Sequence, residues 1–242
     1  MSKVVNRIGE KNLNNQGYLM EIISYKSARE MQVIFPDGSI INKVAYKEFK
    51  NGSIKNINYP SIFKVGFIGK GNYTPFKDKV HYRIWADMLC RCYCLSQKDK
   101  YLTYKDVTVC EEWHNFQNFA AWFEQNYIKG FHLDKDILCP HCKIYSPETC
   151  AFVPVEINSL FTKREKCRGD LPIGVHRHNL VFRVGVSGVK IRKSLYKTPE
   201  DAFLRYKLEK EQHIKEIAEK WKDKIDPRVY QALINYEIKI TD

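Results

Sequence analysis

Residues 131–161 have the sequence FHLDKDILCPHCKIYSPETCAFVPVEINSLF. Along this stretch the spacing of the apolar residues changes after residue 138 and again after residue 155. The short apolar runs at 131–138 and 150–155 are typical of β-strands, and the polar stretch between them is typical of a loop. An apolar turn of helix is predicted at 156–161. The order predicted for this part of the chain is therefore strand, loop, strand, helix.

On the N-terminal side of this stretch, the chain changes from β-structure to helix. Residues from about 18 to 73 contain short β-prone runs with a turn at Pro36-Asp37-Gly38, and they predict a small twisted sheet. From 81 to 127, apolar residues recur at spacings of three and four, which is typical of helices with one buried side. The aromatic residues predicted to pack in that core are Trp85, Trp113, Phe116, Phe119 and Trp122.

On the C-terminal side, three strands are predicted at 173–176, 181–186 and 190–196. A helix is predicted to begin at Thr198-Pro199, because threonine caps helices and proline suits their first turn. The fold class predicted for the whole chain is therefore α+β, with three parts. These are a small N-terminal β module without an assigned role (1–75), a helical segment with the strand-loop-strand-helix core (76–168), and a three-stranded sheet packed on a helix (169–242).

The composition is that of a folded protein with a polyanionic partner. Of 242 residues, 44% are hydrophobic and 28% charged, which excludes a disordered or low-complexity chain. The 40 Lys and Arg residues exceed the 28 acids, giving a formal charge of +12. Ten basic residues and two acids lie between Lys163 and Lys197. This concentration of charge predicts a surface that binds nucleic acid phosphates.

The sequence contains neither a run of about 18 apolar residues nor an apolar stretch near its N-terminus. We therefore expect no membrane partner and a cytoplasmic location. In that compartment thiols stay reduced, so the eight cysteines are not expected to form a disulfide framework.

The segment Cys139-Pro140-His141-Cys142 has the CxxC spacing that can supply two of the four ligands of Zn²⁺. The spacing leaves the other two ligands open. Candidates are Cys150, Cys167, His132 and His141, or a cluster of Cys90, Cys92, Cys94 and Cys110 if the helical segment folds over. The alternative is that these cysteines are buried or incidental thiols.

The segments 133–137, 145–154 and 156–158 together resemble the ββα-metal core of HNH endonucleases, especially the phage homing enzymes. This resemblance implies that Asp134 and Asn158 are ligands of a divalent cation, Mg²⁺ or Mn²⁺. Such a cation takes oxygen ligands and stabilises the charge that builds on a scissile phosphate.

The sequence departs from this family at one position. The family places its general-base histidine where this chain has Lys135, and a protonated lysine cannot accept a proton from water. His132 shares a strand face with Asp134 and is one candidate for the base, and Asp136 is another. If neither acts, the core is a DNA-binding scaffold with an inactive site. Alternatively, Asp134 and Asp136 are ordinary surface carboxylates at the end of a strand.

Residues 171–210 resemble the APETALA/ethylene-response-factor DNA-binding domain, through Gly174-Val175, the strands at 182–184 and 190–196, and the helix start at 198–202. The resemblance implies a three-stranded sheet that enters the DNA major groove. Strand alternation predicts that Arg183 lies on the face of Val181, and Arg192 on the face of Lys190. Arginine can read guanine, whereas lysine mostly contacts phosphate. The predicted contacts are Arg177, Arg183, Lys190, Arg192 and Lys193, and the alternative is a solvated basic face.

The two resemblances cover about residues 82–242, and together they imply a homing-type DNA endonuclease of phage or mobile-element origin. Double-stranded DNA is the expected partner, and no small-molecule cofactor is expected. Because of Lys135, enzymatic activity stays an open prediction. The alternatives are an inactive HNH-derived DNA-binding regulator, and a phage anti-defence protein that binds a host protein.

Overall fold

The computed structural model describes residues 6–96, 104, 106–140, 142–161, 170–192 and 194–240. Within them the chain is α+β, as predicted, and it forms two compact units, Met1–Gln125 and Asn126–Asp242. The predicted division into 1–75, 76–168 and 169–242 stays a prediction, and its second boundary lies outside the described residues. In the described part, no helix has the length and apolar character needed to cross a membrane.

The first unit contains a four-stranded sheet, followed by helices. Its elements are β1 (Lys11–Leu13), β2 (Leu19–Ser27), β3 (Glu30–Ile34), β4 (Ile40–Val44), α1 (Tyr46–Lys50), α2 (Lys79–Tyr93), β5 (Thr108–Val109), a 3₁₀ turn (Glu111–His114) and α3 (Phe116–Asn126).

Strands β1 to β4 are antiparallel and follow one another in the sheet in chain order, as expected for strands joined by short turns. In β3 and the first part of β2, every second residue is buried: Met20 and Ile22, then Met31 and Val33. This period of two is typical of strands with one buried face.

The aromatic residues of α2, α3 and the 3₁₀ turn before α3 form the core of the helical part. Trp85, Trp113, Phe116 and Phe119 are fully buried, which confirms their predicted packing role. Trp122 is only half-buried, and its ring lies 4.7 Å from that of Trp113. The indole Nε1 of Trp85 donates a hydrogen bond to the backbone oxygen of Trp113 at 2.7 Å, so this buried polar group is satisfied.

The second unit contains two small sheets and three helices among its described residues. Its elements are β6 (His132–Asp134), β7 (Ile144–Tyr145), β8 (Ala151–Val153), α4 (Val155–Leu160), β9 (Val175–His178), β10 (Val181–Val184), β11 (Leu195–Tyr196), α5 (Pro199–Trp221), a 3₁₀ turn (Lys222–Lys224) and α6 (Pro227–Ile234).

Strands β9, β10 and β11 form an antiparallel sheet with β10 in the centre, and α5 packs against all three. The packed residues are Val175 and Val184 of the sheet with Ala202, Phe203 and Tyr206 of the helix. Thr198 accepts a hydrogen bond from the backbone N–H of Asp201 at 3.1 Å, which confirms the predicted helix cap.

The third strand of this sheet is shorter than predicted. The sequence predicted a strand over 190–196, but only Leu195 and Tyr196 pair with β10. The preceding segment packs Val189 and Ile191 against the core as a loop, after a turn in which Val189 N–H donates to Val186 O. Lys190 and Arg192 therefore do not share a strand face, because neither lies in a strand.

We expect Gly174→Ala to destabilise the second unit. Gly174 has φ +74°, and an added Cβ would lie 2.0 Å from the Tyr206 ring. A left-handed conformation alone costs a residue with a Cβ about 1–2 kcal/mol, and the clash adds to that loss. The matched control is Gly185→Ala, since a Cβ there meets nothing within 4 Å. Urea unfolding of both variants measures the difference, and equal midpoints would contradict the expectation.

Candidate functional site

The predicted strand, loop, strand and helix follow one another in the structure, but the predicted loop also contains the two-residue strand β7. Strands β6 and β8 pair antiparallel, with Asp134 opposite Ala151 and His132 opposite Val153. All three residues of β8 are buried, and α4 begins directly after Pro154. Helix α4 buries Ile157 and contacts β6. The two elements that carry Asp134 and Asn158 are therefore packed against each other.

Asp134 ends β6 and shapes the loop that follows. Its Oδ1 accepts hydrogen bonds from the backbone N–H groups of Asp136 and Ile137, both at 2.9 Å. Burial raises the pKa of this carboxyl group, and the hydrogen bond from Ile137 opposes that rise. The other oxygen, Oδ2, has no hydrogen-bond partner in the described part of the chain. Such a carboxylate can offer one oxygen to a cation while the other holds the turn.

Asn158 lies in α4 and is half-exposed. Its backbone N–H donates to Pro154 O at 3.1 Å, as the helix requires. The amide side chain forms no hydrogen bond with the other described residues. An amide oxygen in this state can serve as a ligand of a hard cation.

Lys135 occupies the position where the resembled family has its general base, and it is 8% exposed. Its Nζ donates to Asp136 Oδ1 at 2.5 Å and to Cys142 O at 3.3 Å. The same nitrogen lies 6.0 Å from the centre of the Tyr145 ring. Lys135 is therefore a buried cation that links the strand end to the following loop.

The two candidates for a replacement base differ in their surroundings. The Asp136 carboxylate is exposed but is held in the ion pair with Lys135. His132 is exposed on β6, two residues from Asp134, so both side chains project from the same side of the strand. Among the described residues, the imidazole has no hydrogen-bond partner. Of these two side chains, Asp136 is therefore the one engaged by another described residue.

Cys139 and Cys142 lie in a tight turn, where Cys142 N–H donates to Cys139 O at 3.0 Å. The structure joins their sulfur atoms in a disulfide, with the Cα atoms 5.3 Å apart. This departs from the expectation of reduced thiols. Zinc binds thiolates, so this pair can bind it only after reduction.

The remaining candidate zinc ligands do not complete a site within the described chain. Cys150 is fully buried, and His141 and Cys167 lie outside the described residues. Cys90, Cys94 and Cys110 are half-buried, and Cys92 is buried. Across 6–96, 106–140 and the other described ranges, no three His, Cys, Asp or Glu side chains are arranged to hold a metal ion.

The C-terminal sheet separates two of the predicted DNA contacts. Arg183 lies opposite His176 and Leu195 in the register, so these three side chains share the open face, and Val181 shares it as predicted. Arg177 lies opposite Phe182, on the face that packs towards α5, and its guanidinium is 5.4 Å from the Phe182 ring. Lys190 and Arg192 are exposed in the loop before β11, and Lys193 lies outside the described residues.

Sequence reasoning did not include His176 and His178 among the site residues. Both are exposed on β9, two residues apart, and His178 lies opposite Val181. They therefore join Arg183 on the open face of the sheet. The period of two in the sequence Val175-His176-Arg177-His178 is a signal that could have identified them.

Glu156 was also missed, and it links α4 to the end of α5. Its carboxylate accepts hydrogen bonds from Lys220 Nζ at 2.7 and 2.8 Å and from Trp221 Nε1 at 2.8 Å. The hydrogen bonds from Lys220 and Trp221 lower the pKa of Glu156, and burial opposes them. Because the partners are more than 60 residues apart in sequence, no local pattern reveals this contact.

Comparison of the chain with protein-family models, with curated proteins and with solved structures gave no match. The functional interpretation therefore rests on the residues and geometry described above.

Asp134→Asn and Asp134→Ala are expected to separate the charge of Asp134 from its role in the turn. Asparagine keeps an oxygen that accepts from the two backbone N–H groups. Alanine leaves these donors without an acceptor, which lowers the stability by roughly 1–3 kcal/mol. Because the pKa of Asp134 is raised in the folded state, its ionised carboxylate lowers the stability of the fold at pH 7. This loss of stability disappears as the pH falls through the folded pKa towards the ordinary value of 3.8. Asp134→Asn should therefore match or exceed the wild type in stability at pH 7, with a smaller gain at pH 4.5.

Urea unfolding at the two pH values measures this difference. If Asp134→Asn were as unstable as Asp134→Ala at pH 7, the charge rather than the acceptor oxygen would stabilise the turn.

Proposed function

We propose that this protein is a DNA-binding, HNH-like endonuclease that hydrolyses phosphodiester bonds with the help of a divalent cation. One observation carries the proposal. Asp134, at the end of β6, ties one carboxylate oxygen to the turn and leaves the other without a partner in the described chain, beside the helix that carries Asn158.

The residues present fit a hard divalent cation. Asp134 and Asn158 both offer oxygen atoms, and Mg²⁺ is commonly held by one or two protein oxygens with water completing its shell. Mg²⁺ or Mn²⁺ held there would supply positive charge for the phosphate oxygens as the bond to phosphorus breaks. The turn at Asp136 and Ile137 orients the Asp134 carboxylate before any ligand binds, which lowers the cost of ordering the site.

His132 is the proposed general base. Imidazole is the side chain that most often accepts a proton near neutral pH, and His132 lies on the same strand side as Asp134. It would take the proton from the attacking water. Asp136 would first have to leave its ion pair with Lys135, so it is the poorer candidate.

The open face of the C-terminal sheet is the proposed DNA-docking surface. It presents Arg183 with His176 and His178, while α5 covers the opposite face. Arg183 has the donor geometry to read guanine in the major groove. Lys190, Arg192 and Lys193 are proposed to contact phosphates. Arg177, although a predicted contact, lies on the opposite face of the sheet and is not assigned to this surface.

A second candidate function is that of a DNA-binding regulator without catalytic activity. Lys135 favours it, because a buried ammonium group stands where the resembled family has its base. In that case the ββα core would act only as a scaffold for the basic sheet.

Cleavage of supercoiled plasmid tests the proposal directly. In Mg²⁺ or Mn²⁺ we expect nicking or linearisation by the wild type, and none in chelator. Asp134→Asn should abolish cleavage while leaving the fold intact, and Asn158→Ala and His132→Ala should reduce it strongly. Asp136→Asn is the matched control, because it removes a neighbouring carboxylate that has no role in the proposed proton transfer. Cleavage that persists in Asp134→Asn would contradict the metal site.

DNA affinity separates the two candidate functions. We expect Arg183→Ala to weaken binding to a preferred duplex by roughly 1–3 kcal/mol, measured by fluorescence anisotropy. Binding that depends on Arg183, without cleavage in either metal, would favour the regulator. Lys135→His then becomes informative, because gain of cleavage in that variant would identify a nuclease site that lost its base.

A further inference from the structure

A second concentration of positive charge lies in the first unit, outside the regions already assigned. Between residues 55 and 83 the sequence has six basic residues and one acid, Asp78. We refer to this stretch as the 55–83 segment. Its basic residues are Lys55, Lys64, Lys70, Lys77, Lys79 and Arg83.

All six basic side chains are exposed, and none forms a salt bridge with another residue of the described chain. Elsewhere in the same unit, exposed lysines do have acidic partners: Lys11 pairs with Glu21 and Lys26 with Glu30. The acid of the segment is engaged by the backbone, since Asp78 accepts a hydrogen bond from Thr74 N–H at 2.6 Å. With six basic residues and one acid, the segment keeps a formal charge of +5.

Exposed aromatic rings accompany this charge. Phe76 is 81% exposed, and Lys79 Nζ lies 5.4 Å from the centre of its ring. Phe63 is also exposed and directly precedes Lys64. Phe63 and Lys64 both have positive φ, at 51° and 63°, a conformation that is strained for residues with a Cβ. Strain of this kind is held in place only where the surrounding structure determines it.

The surrounding structure does hold this segment. Ile62 and Gly66 exchange backbone hydrogen bonds at 3.0 and 2.8 Å, which closes the turn that presents Phe63 and Lys64. A Cβ at Gly66 would lie 2.4 Å from Leu89 and 2.8 Å from Trp85, so the turn rests directly on buried residues of α2.

Gln117 of α3 holds the next part of the segment. Its Nε2 donates to the backbone oxygens of Ile68 and Tyr73 at 3.0 and 2.9 Å, and its Oε1 accepts from Tyr73 N–H at 3.0 Å. The segment is therefore an anchored basic surface, unlike a free basic tail. Anchoring reduces the entropy lost when the surface binds a partner.

We propose that the 55–83 segment is a second DNA-binding surface, which contacts backbone phosphates without reading the base sequence. An exposed surface with six cations and one acid suits a polyanion, because each neutralised phosphate releases condensed counterions. Exposed lysines contact phosphates rather than base edges in most protein–DNA complexes. This inference rests on the proposed DNA-binding function, and it assigns the first unit a part in it.

The test is the salt dependence of DNA binding by the full-length protein. The variant Lys64→Gln/Lys79→Gln removes two cations of the segment, and the control Lys11→Gln/Lys26→Gln removes two ion-paired cations of the same unit, so both change the net charge equally. Affinity for one fluorescent duplex is measured between 50 and 200 mM KCl. The slope of log K against log[KCl] should become less steep by about 0.9 for each lost phosphate contact in the first variant, and stay unchanged in the control.

The outcomes separate this inference from the proposed function. An unchanged slope in Lys64→Gln/Lys79→Gln, together with weakened binding by Arg183→Ala, would overturn the second surface and leave the C-terminal one in place. The reverse pattern would support the second surface and contradict docking through the C-terminal sheet. A wild type that binds no duplex at 50 mM KCl would overturn both. Equal losses in the two double variants would mean that only net charge matters, which also contradicts a local contact.

Discussion

The pairing of β6 with β8 is the constraint on which the candidate site depends. Only three residues of each strand pair, yet β8 is wholly buried and α4 follows it after a single proline. This arrangement fixes the end of β6, where Asp134 accepts two backbone hydrogen bonds and starts the loop. The contact of Glu156 with Lys220 and Trp221 then holds α4 to the end of the long helix α5. The core helix and the helix beneath the basic sheet are thereby connected within one unit.

Lys135 gives this site its particular character. A lysine side chain is rarely buried unless it is paired, and here it pairs with Asp136 and a backbone oxygen. A buried cation next to Asp134 repels a second cation, so it would weaken the binding of a divalent ion to that carboxylate. Lys135 thus stabilises the loop and would oppose the binding of a divalent ion at the proposed site. In the proposed nuclease, His132 would supply the base that Lys135 cannot.

Particular residues show how much of the fold could be predicted from the sequence. Thr198-Pro199 marks the start of α5, because capping is a local hydrogen bond between residues three apart. The aromatic stripe of α2 and α3 predicts the buried residues, since helical periodicity places them on one face. The third strand of the C-terminal sheet was predicted too long, because a β-prone run does not reveal that Val189 and Ile191 pack as a loop. That difference moves Lys190 and Arg192 out of the strand.

The sequence by itself determined the α+β class, the order of strand, loop, strand and helix, and the excess of positive charge, because these follow from composition and from spacings of two to four residues. Only the tertiary structure decided that Lys135 is buried against Asp136, that Arg177 and Arg183 lie on opposite faces of their sheet, and that the 55–83 segment is anchored by Gln117. The physical reason is that none of these features follows from the spacing of residues along the chain. Burial, strand register and hydrogen bonds between residues more than 40 positions apart depend on the packing of the whole unit, which no local pattern contains.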